Sequence, residues 1–408
     1  MQKVLIVLAL TAIVLAACGP SPVATATNTP AATELPAATP TATGELPATD
    51  GQPSAPAPSE TPTAAGPVSF GPNPEDFPAG INPLTGLPAN DASLLNLPAV
   101  LISVTNFPAS ARPQAGLSFA AMIYEIYIGE GTTRFLAVFY GDAPKATVPG
   151  ASGALVDYVG PVRSGRLPYV DIRDAFQWSC LVYASATAEI RAQLRGCHIV
   201  FGTDANDINS AFVDVTRMKE LAQANLKPGE PFNYTGNLFG DTVPSGGQAA
   251  STLKIYYSLL NQAMWTYDGA SGKYLRSENN PSAADQFTPA TDRLTGQPLA
   301  FSNVIVMFAD HKVVKPTIID IDLSLGNGGT AYLFRDGQVF PIRWSTIGGD
   351  YEKQTGLRRP IQFTDEAGNP IALQPGSTWV HVMTPFSTVT EESAGAWLAR
   401  FFAPAGSQ

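Results

Sequence analysis

The stretch VGPVRSGRLPY, Val159 to Tyr169, sets Arg163 and Arg166 three residues apart between Gly160, Pro161, Gly165 and Pro168. Two guanidinium forks on so short a tether suit a carboxylate, phosphate or sulfate, which they can hold with paired charge-assisted hydrogen bonds. Pro168 fits the first turn of a helix. A helix start would add unpaired N–H groups and partial positive charge beside the arginines. Upstream, YEIYIGEGTTR places Glu125, Glu130 and Arg134 around a glycine-bracketed turn. In a strand Glu125 lies on the opposite face from Tyr124 and Ile126, so it points to a cleft or to an arginine. Two carboxylates with arginines could serve general acid–base hydrolysis of a glycan. The competing reading is internal: the arginines pair with Glu125, Glu130 or Asp171 inside the fold, because a buried charge without a partner is costly.

Other chemistry-bearing residues give weaker signals. His198, His311 and His381 are far apart in apolar, strand-like runs without ligand spacing, so the sequence implies no metal site. DANDIN, Asp204 to Asn209, lacks the sixth-place glycine and closing glutamate of a calcium loop and reads as a turn or cap. No Gly-x-Ser-x-Gly elbow occurs, and GNGG, Gly326 to Gly329, reads as a hairpin loop. Trp265, Tyr267, Trp344 and Trp379 lie on expected strands, mostly as core, although an exposed pair could stack on sugar rings. No cofactor is implied.

The elements that must position these residues are mixed. AVLISVT, MIYEIYI and TRFLAVFY are rich in β-branched and aromatic residues and predict strands. Tyr169, Ile172 and Phe176 recur at helical spacing after Pro168. CLVYAS predicts a strand, TAEIRAQLRG a helix closed by Gly196, and CHIVFG a further extended piece. Beyond a turn-rich stretch the pattern becomes strands and hairpins, from LKIYYSL to TWVHVMT, punctuated by Asp-Gly, Ser-Gly and Gly-Asn turns. The expected fold class is α+β: a mixed, sandwich-like N-terminal domain over 73–245 and a β-rich C-terminal domain over 246–404.

The amino terminus gives the address. Lys3 precedes an apolar run from Val4 to Ala17, too short to span a bilayer and suited to a secretion signal over 1–18. Its end, Leu15-Ala16-Ala17-Cys18, resembles a bacterial lipobox, which would make Cys18 the lipidated mature terminus; an ordinary signal peptide is the alternative. Two or more acyl chains would anchor the protein at the membrane without a spanning helix. Residues 19–72 are dominated by Pro, Thr, Ala and Ser, cannot bury a core, and predict a disordered, semi-rigid spacer. The net charge of −10 argues against a nucleic-acid partner. Of three cysteines, Cys180 and Cys197 remain after lipidation. Outside the cytoplasm they could form a disulfide or stay as two buried thiols.

Several strings resemble one family. INPLTGLP, ARPQAGLSFAAMIYEIYIGEGTTRFLAVFYG and GPVRSGRLPYVDI are similar to the N-terminal domain of the YerB-like lipoproteins, whose pattern runs roughly NPLTG, RPQSGL, YE, EGG, TRF and GPVRSAR. WTYDGASGKYLRS, NVIVMFADH, GTAYLFRDGQ and LQPGSTWVHV resemble its C-terminal domain. The resemblance implies a surface lipoprotein of two domains with no established reaction or cofactor. Two departures stand out. Gly165 precedes the second arginine where the family has another small residue, which would loosen the backbone, and Pro231-Phe232-Asn233 lacks an expected histidine.

The reading that unites these observations is an extracytoplasmic, lipid-anchored binding or scaffold protein, more in keeping with recognition than with catalysis. Its anion- or glycan-compatible cleft would be lined by Arg163, Arg166, Arg134, Glu125 and Glu130, and its partner would be a cell-wall polymer or envelope protein. The alternative is an envelope hydrolase using Glu125 or Glu130 as acid or base, and a third is a structural module in which the arginines are internal braces.

Overall fold

A computed structural model describes residues 68–407, apart from 151, 281 and 348. The expected signal segment, Cys18 and residues 19–67 of the expected spacer lie outside the described residues. Ser69 and Phe70, inside the expected spacer, already pair with Gly240 and Phe239 of the folded body.

The fold is β-rich with few, short helices. Strands β1 (Val100–Thr105), β2 (Met122–Gly129), β3 (Thr132–Phe139), β4 (Cys180–Tyr183) and β5 (His198–Ile199) come from the first half. The second half supplies β6 (Gln248–Ala249), β7 (Thr252–Ser258), β8 (Asn261–Asp268), β9 (Lys273–Asn280), β10 (Ala283–Pro289), β11 (Ala300–Phe301) and β12 (Asn303–Phe308). It continues with β13 (Gly328–Arg335), β14 (Gln338–Ser345), β15 (Gln362–Thr364), β16 (Thr378–Met383), β17 (Thr388–Ser393) and β18 (Ala396–Arg400).

Eleven of these strands form one sheet in the order β6-β14-β13-β12-β16-β2-β3-β1-β4-β5, with β15 also on β14. Residues on both sides of the expected 245/246 boundary therefore share a sheet. The joint is β16, which runs parallel to β12 from Asn303↔Thr378 onward and parallel to β2 from Thr378↔Met122 onward. A second, seven-stranded sheet runs β10-β9-β8-β7-β18-β17, with β11 on β9.

Burial explains the composition of each sheet. Every residue of β1, β2, β12 and β16 is buried, as expected for strands covered on both faces. One face packs against the seven-stranded sheet, bringing Ile123, Phe135 and Trp379 into one core with Leu253, Trp265 and Ala399. The other carries Tyr124, Ile126 and Leu136 under Tyr169 and Ile172 of helix α1 (Tyr169–Ala175) and Ile190 and Leu194 of helix α2 (Ala188–Leu194). In β7, by contrast, buried residues alternate with half-buried ones, so one face of the smaller sheet is wet. Helix α3 (Met218–Gln223) packs on the same side as the smaller sheet.

Candidate functional site

Residues 160–165 form an extended bridge between the ends of β1 and β4. The Arg163 amide donates to the Ser103 carbonyl at 2.9 Å, the Ala184 amide to the Arg163 carbonyl at 2.9 Å, and the Gly165 amide to the Ser185 carbonyl at 2.7 Å. Gly165 is there for space, not looseness: a Cβ would collide with Leu194 and approach the Tyr183 ring at 3.3 Å. The bridge aims Arg163 and Arg166 toward Arg134, which stands in β3 opposite Ile126 of β2 and Thr105 of β1.

These three arginines form a cluster of one sign. Arg134 is 6% exposed and its Nη1 donates to the Ser164 carbonyl at 3.3 Å. Arg163 is half-buried, and its Nε donates to Thr105 Oγ1 at 3.4 Å. The Nε atoms of Arg134 and Arg166 are buried without a hydrogen-bond partner. Burial pushes all three guanidinium groups down from their ordinary range. The charges of Arg166 and Arg163 push Arg134 further, Arg166 does the same to Arg163, Tyr169 opposes the shift of Arg134 and Arg166, and the Asp207 carboxylate opposes that of Arg163. Arginine nevertheless keeps its charge at neutral pH. Among the described residues, no ion pair includes Arg134, Arg163 or Arg166.

Internal pairing with the expected acids is thus absent among the described residues. Asp171 turns away, accepting from the Leu323 amide at 3.1 Å. The helix contribution is corrected as well: the Tyr169 and Val170 amides already donate to the Arg166 and Leu167 carbonyls, at 3.1 and 3.0 Å. The cationic character rests on the guanidinium groups alone. Beside Arg163 opens a cavity of about 310 Å³ lined by Ser164, Ser185, Asp207, Phe201 and Ile208. Phe201 and Ile208 are 80% and 56% exposed and give it an apolar rim. Asp204 and Asp207 cap turns, accepting from the amides of Asn206 and Asn209 at 2.8 Å each.

Glu125 and Glu130 do not join this cluster, which corrects the expected shared cleft. Glu125 is in register with Phe135, one place from the Ile126–Arg134 pair, so its side chain leaves the opposite face of the sheet. That face is the dry core between the sheets, and Glu125 is 1% exposed. Its Oε1 accepts from Thr133 Oγ1 at 2.8 Å and its Oε2 from Trp379 Nε1 at 3.1 Å. Oε2 also stands 3.3 Å from Arg276 Nη1 and 3.3 Å from His381 Nδ1. Arg276 lies over the Trp379 ring at 4.4 Å and reaches Glu278 at 3.4 Å, which in turn meets Arg112 at 3.0 Å. Trp265 Nε1 donates to His381 Nε2 at 2.9 Å, which assigns the His381 proton to Nδ1, facing Glu125. Burial pushes the Glu125 carboxyl up against the pull of Arg276, and burial with Arg276 holds His381 well below its usual range. Glu130 is exposed in the β2–β3 turn with φ 51°.

The strand alternation placed Glu125 correctly opposite Tyr124 and Ile126; it could not tell that both faces are covered. Arg276 gave no signal because it is one of several polar residues in KYLRSENN, and His381 read only as an isolated histidine; their meeting with Glu125 depends on strands from distant parts of the chain. Cys180 and Cys197 are bonded to each other, with Cα atoms 5.2 Å apart.

A mixed sheet shared by both halves of the chain, fully buried in four of its strands, thus carries an arginine bridge on one face. Residues 84–226 match the family described as "Protein of unknown function (DUF3048) N-terminal domain", and residues 253–380 match its C-terminal domain. The two segments together span more than half of the chain, and the chain belongs to this family. A relative, "Putative lipoprotein YerB" of Bacillus subtilis (strain 168), is 26% identical over 317 residues, 74% of this chain and 85% of the relative. The crystal structure of YerB protein from Bacillus subtilis superposes with a TM-score of 0.54 at 24% identity, covering 74% of this chain and 96% of that one. At that identity the structural likeness speaks for the fold.

Proposed function

We propose that this chain is a binding protein held outside the cytoplasmic membrane by a lipid on Cys18. In this reading Arg134, Arg163 and Arg166 receive an anionic group of an envelope ligand, either a cell-wall glycan fragment or a partner protein. One observation carries it: three guanidinium groups gather without a carboxylate among the described ion pairs, and two of them keep a buried, unpartnered Nε. Like charges so placed repel, and a bound carboxylate or phosphate would replace that repulsion with charge-assisted hydrogen bonds. The lipobox-like end at Cys18 and the name of the Bacillus subtilis relative support the address. An acid–base hydrolase gains no support, because Glu125 is sealed between the sheets and Glu130 stands apart from it.

Calorimetric titration with muropeptides tests the reading, comparing the native chain with the Arg163→Ala, Arg166→Ala double variant. Binding should weaken at least about tenfold, as expected for losing one or more charge-assisted hydrogen bonds. The melting temperature of the ligand-free variant should stay level or rise, since no ion pair is broken. Indistinguishable titrations, or a strong fall in melting temperature, would return the arginines to the role of internal braces.

A further inference from the structure

A second cavity, of about 430 Å³, shares no lining residue with the one beside Arg163. It opens between the end of α1, the turn after α2, the segment after α3 and residues 356–358. Its wall carries Arg173, Arg195, Lys227 and Arg358 against a single acid, Asp174, in a chain of net charge −10. Asp174 is already paired with Arg173. Arg195 and Lys227 are exposed and enter no ion pair among the described residues.

Two polar atoms in the same wall want a partner. Ser179 is 2% exposed and its Oγ has none, although the residue lines the cavity. Gln177 donates through Nε2 to the Arg358 carbonyl at 2.6 Å and leaves its buried Oε1 unpaired. Buried polar atoms are nearly always satisfied, so two orphans in one cavity wall point to a polar occupant. The indole of Trp178 also lines the cavity, fixed by its Nε1 donating to the Pro231 carbonyl at 3.1 Å, with the Lys227 ammonium 3.9 Å from the ring centroid.

The backbone holds this arrangement under strain. Trp178 has φ 61° and Arg195 φ 42°, conformations that bulky residues keep only when their surroundings enforce them. The enforcement is visible. The Cys180–Cys197 bond ties the residue after Ser179 to the second residue after Arg195, and a Cβ on Gly196 would collide with Tyr183.

From this geometry we infer that the cavity binds an acidic saccharide, a pyranose bearing a carboxylate or phosphate, with Trp178 against the ring and Arg195, Lys227 and Arg358 around the acidic group. Indole faces cover the apolar face of a sugar, guanidinium forks hold oxyanions, and ring hydroxyls can pair with Ser179 Oγ and Gln177 Oε1. Lys227 covers one face of the indole, so the sugar ring takes the other; a bare anion would leave that face unused, and an apolar acid would leave Gln177 unpaired. The volume accommodates about one or two sugar rings. This site is independent of the Arg134 cluster.

Titration of the full chain with trigalacturonic acid and glucose 6-phosphate, followed by tryptophan fluorescence and calorimetry, tests the inference against uncharged maltotriose and inorganic phosphate. At least one acidic saccharide should bind at least about tenfold more tightly than both controls, and Arg195→Glu with Lys227→Glu should remove at least about tenfold of its affinity. Trp178→Phe should abolish the fluorescence change. Both charge reversals are at exposed positions, and thermal melts check that the fold persists. Phosphate or maltotriose binding as tightly as the acidic saccharides would overturn the assignment. So would no binding by either acid, full affinity in the charge-reversed chain, or a loss that follows Arg163→Ala and Arg166→Ala instead.

Discussion

His381 shows how a single side chain can set the acid limit of this fold. Its Nε2 accepts from Trp265, its Nδ1 faces Glu125, and Arg276 adds positive charge nearby, so the folded protein keeps it neutral. In the unfolded chain it would protonate near its ordinary value of 6.5. The folded state therefore binds fewer protons, and the stability that His381 supplies is complete above pH 6.5 and declines as pH falls below it, by up to about 1.4 kcal/mol per unit. His311, pushed down to about 4 by burial, adds to the same decline. Glu125 acts in the other sense: its raised folded value gives stability below its ordinary 4.5 that is lost as pH rises through the folded value. Urea melts between pH 7.5 and 5 should show stability falling in the native chain and falling less steeply in His381→Gln, which keeps an acceptor for Trp265. Equal slopes would mean that His381 is not neutral in the fold. The sequence displayed this histidine only as one polar residue in TWVHVMT, because the partners that define it come from β2, β8 and β9.

Arg163 and Arg166 owe their placement to a bridge of extended chain rather than to the helix that follows. The pattern of Tyr169, Ile172 and Phe176 was legible as a helix, and α1 begins where Pro168 suggested. Its first amides are nonetheless consumed by the Arg166 and Leu167 carbonyls, a local detail that no periodicity encodes. The long strands were legible for a similar reason of scale: β1, β2, β3, β12 and β16 are apolar on both faces. β17 was not, since TVTEES is an edge strand with little burial and no apolar alternation to announce it. Gly196 likewise looked like a helix stop, whereas Arg195 takes the left-handed cap and Gly196 makes room for Tyr183. Gly165 is the corresponding residue on the bridge. Gly165→Ala should force Leu194 from its place and cost about 1–3 kcal/mol in chemical denaturation, as overpacking does. Adding Leu194→Ala should change the penalty non-additively, because the second substitution opens the space the new methyl needs. Strict additivity would show that the two side chains do not meet.

For the whole molecule, the decisive strand is β16, which enters between β12 and β2 more than two hundred residues after β2 has formed its hairpin with β3. Without it, β2 would present an unpaired edge over Met122–Ile126, and the core that Phe135 and Tyr127 share with the seven-stranded sheet would lose Trp379. Glu125 would also lose Trp379 and His381, and without the rest of the second half Arg276 as well, leaving a carboxylate in an apolar surface with only Thr133 and Asn106 beside it. The compositional change near residue 245, which suggests two modules, marks a change in strand density along the chain; the pairing partners of β2 were invisible because they depend on contacts between distant segments. The two halves should therefore fold only in each other's presence. A fragment of residues 68–245 made alone should lack a cooperative urea transition and near-ultraviolet circular dichroism, and mixing it with residues 246–408 should restore both, whereas the full chain should unfold in one step. A sharp, reversible transition in the isolated first fragment would show that the shared sheet is a docking of two finished domains, and the apolar edge of β2 would then need another form of protection.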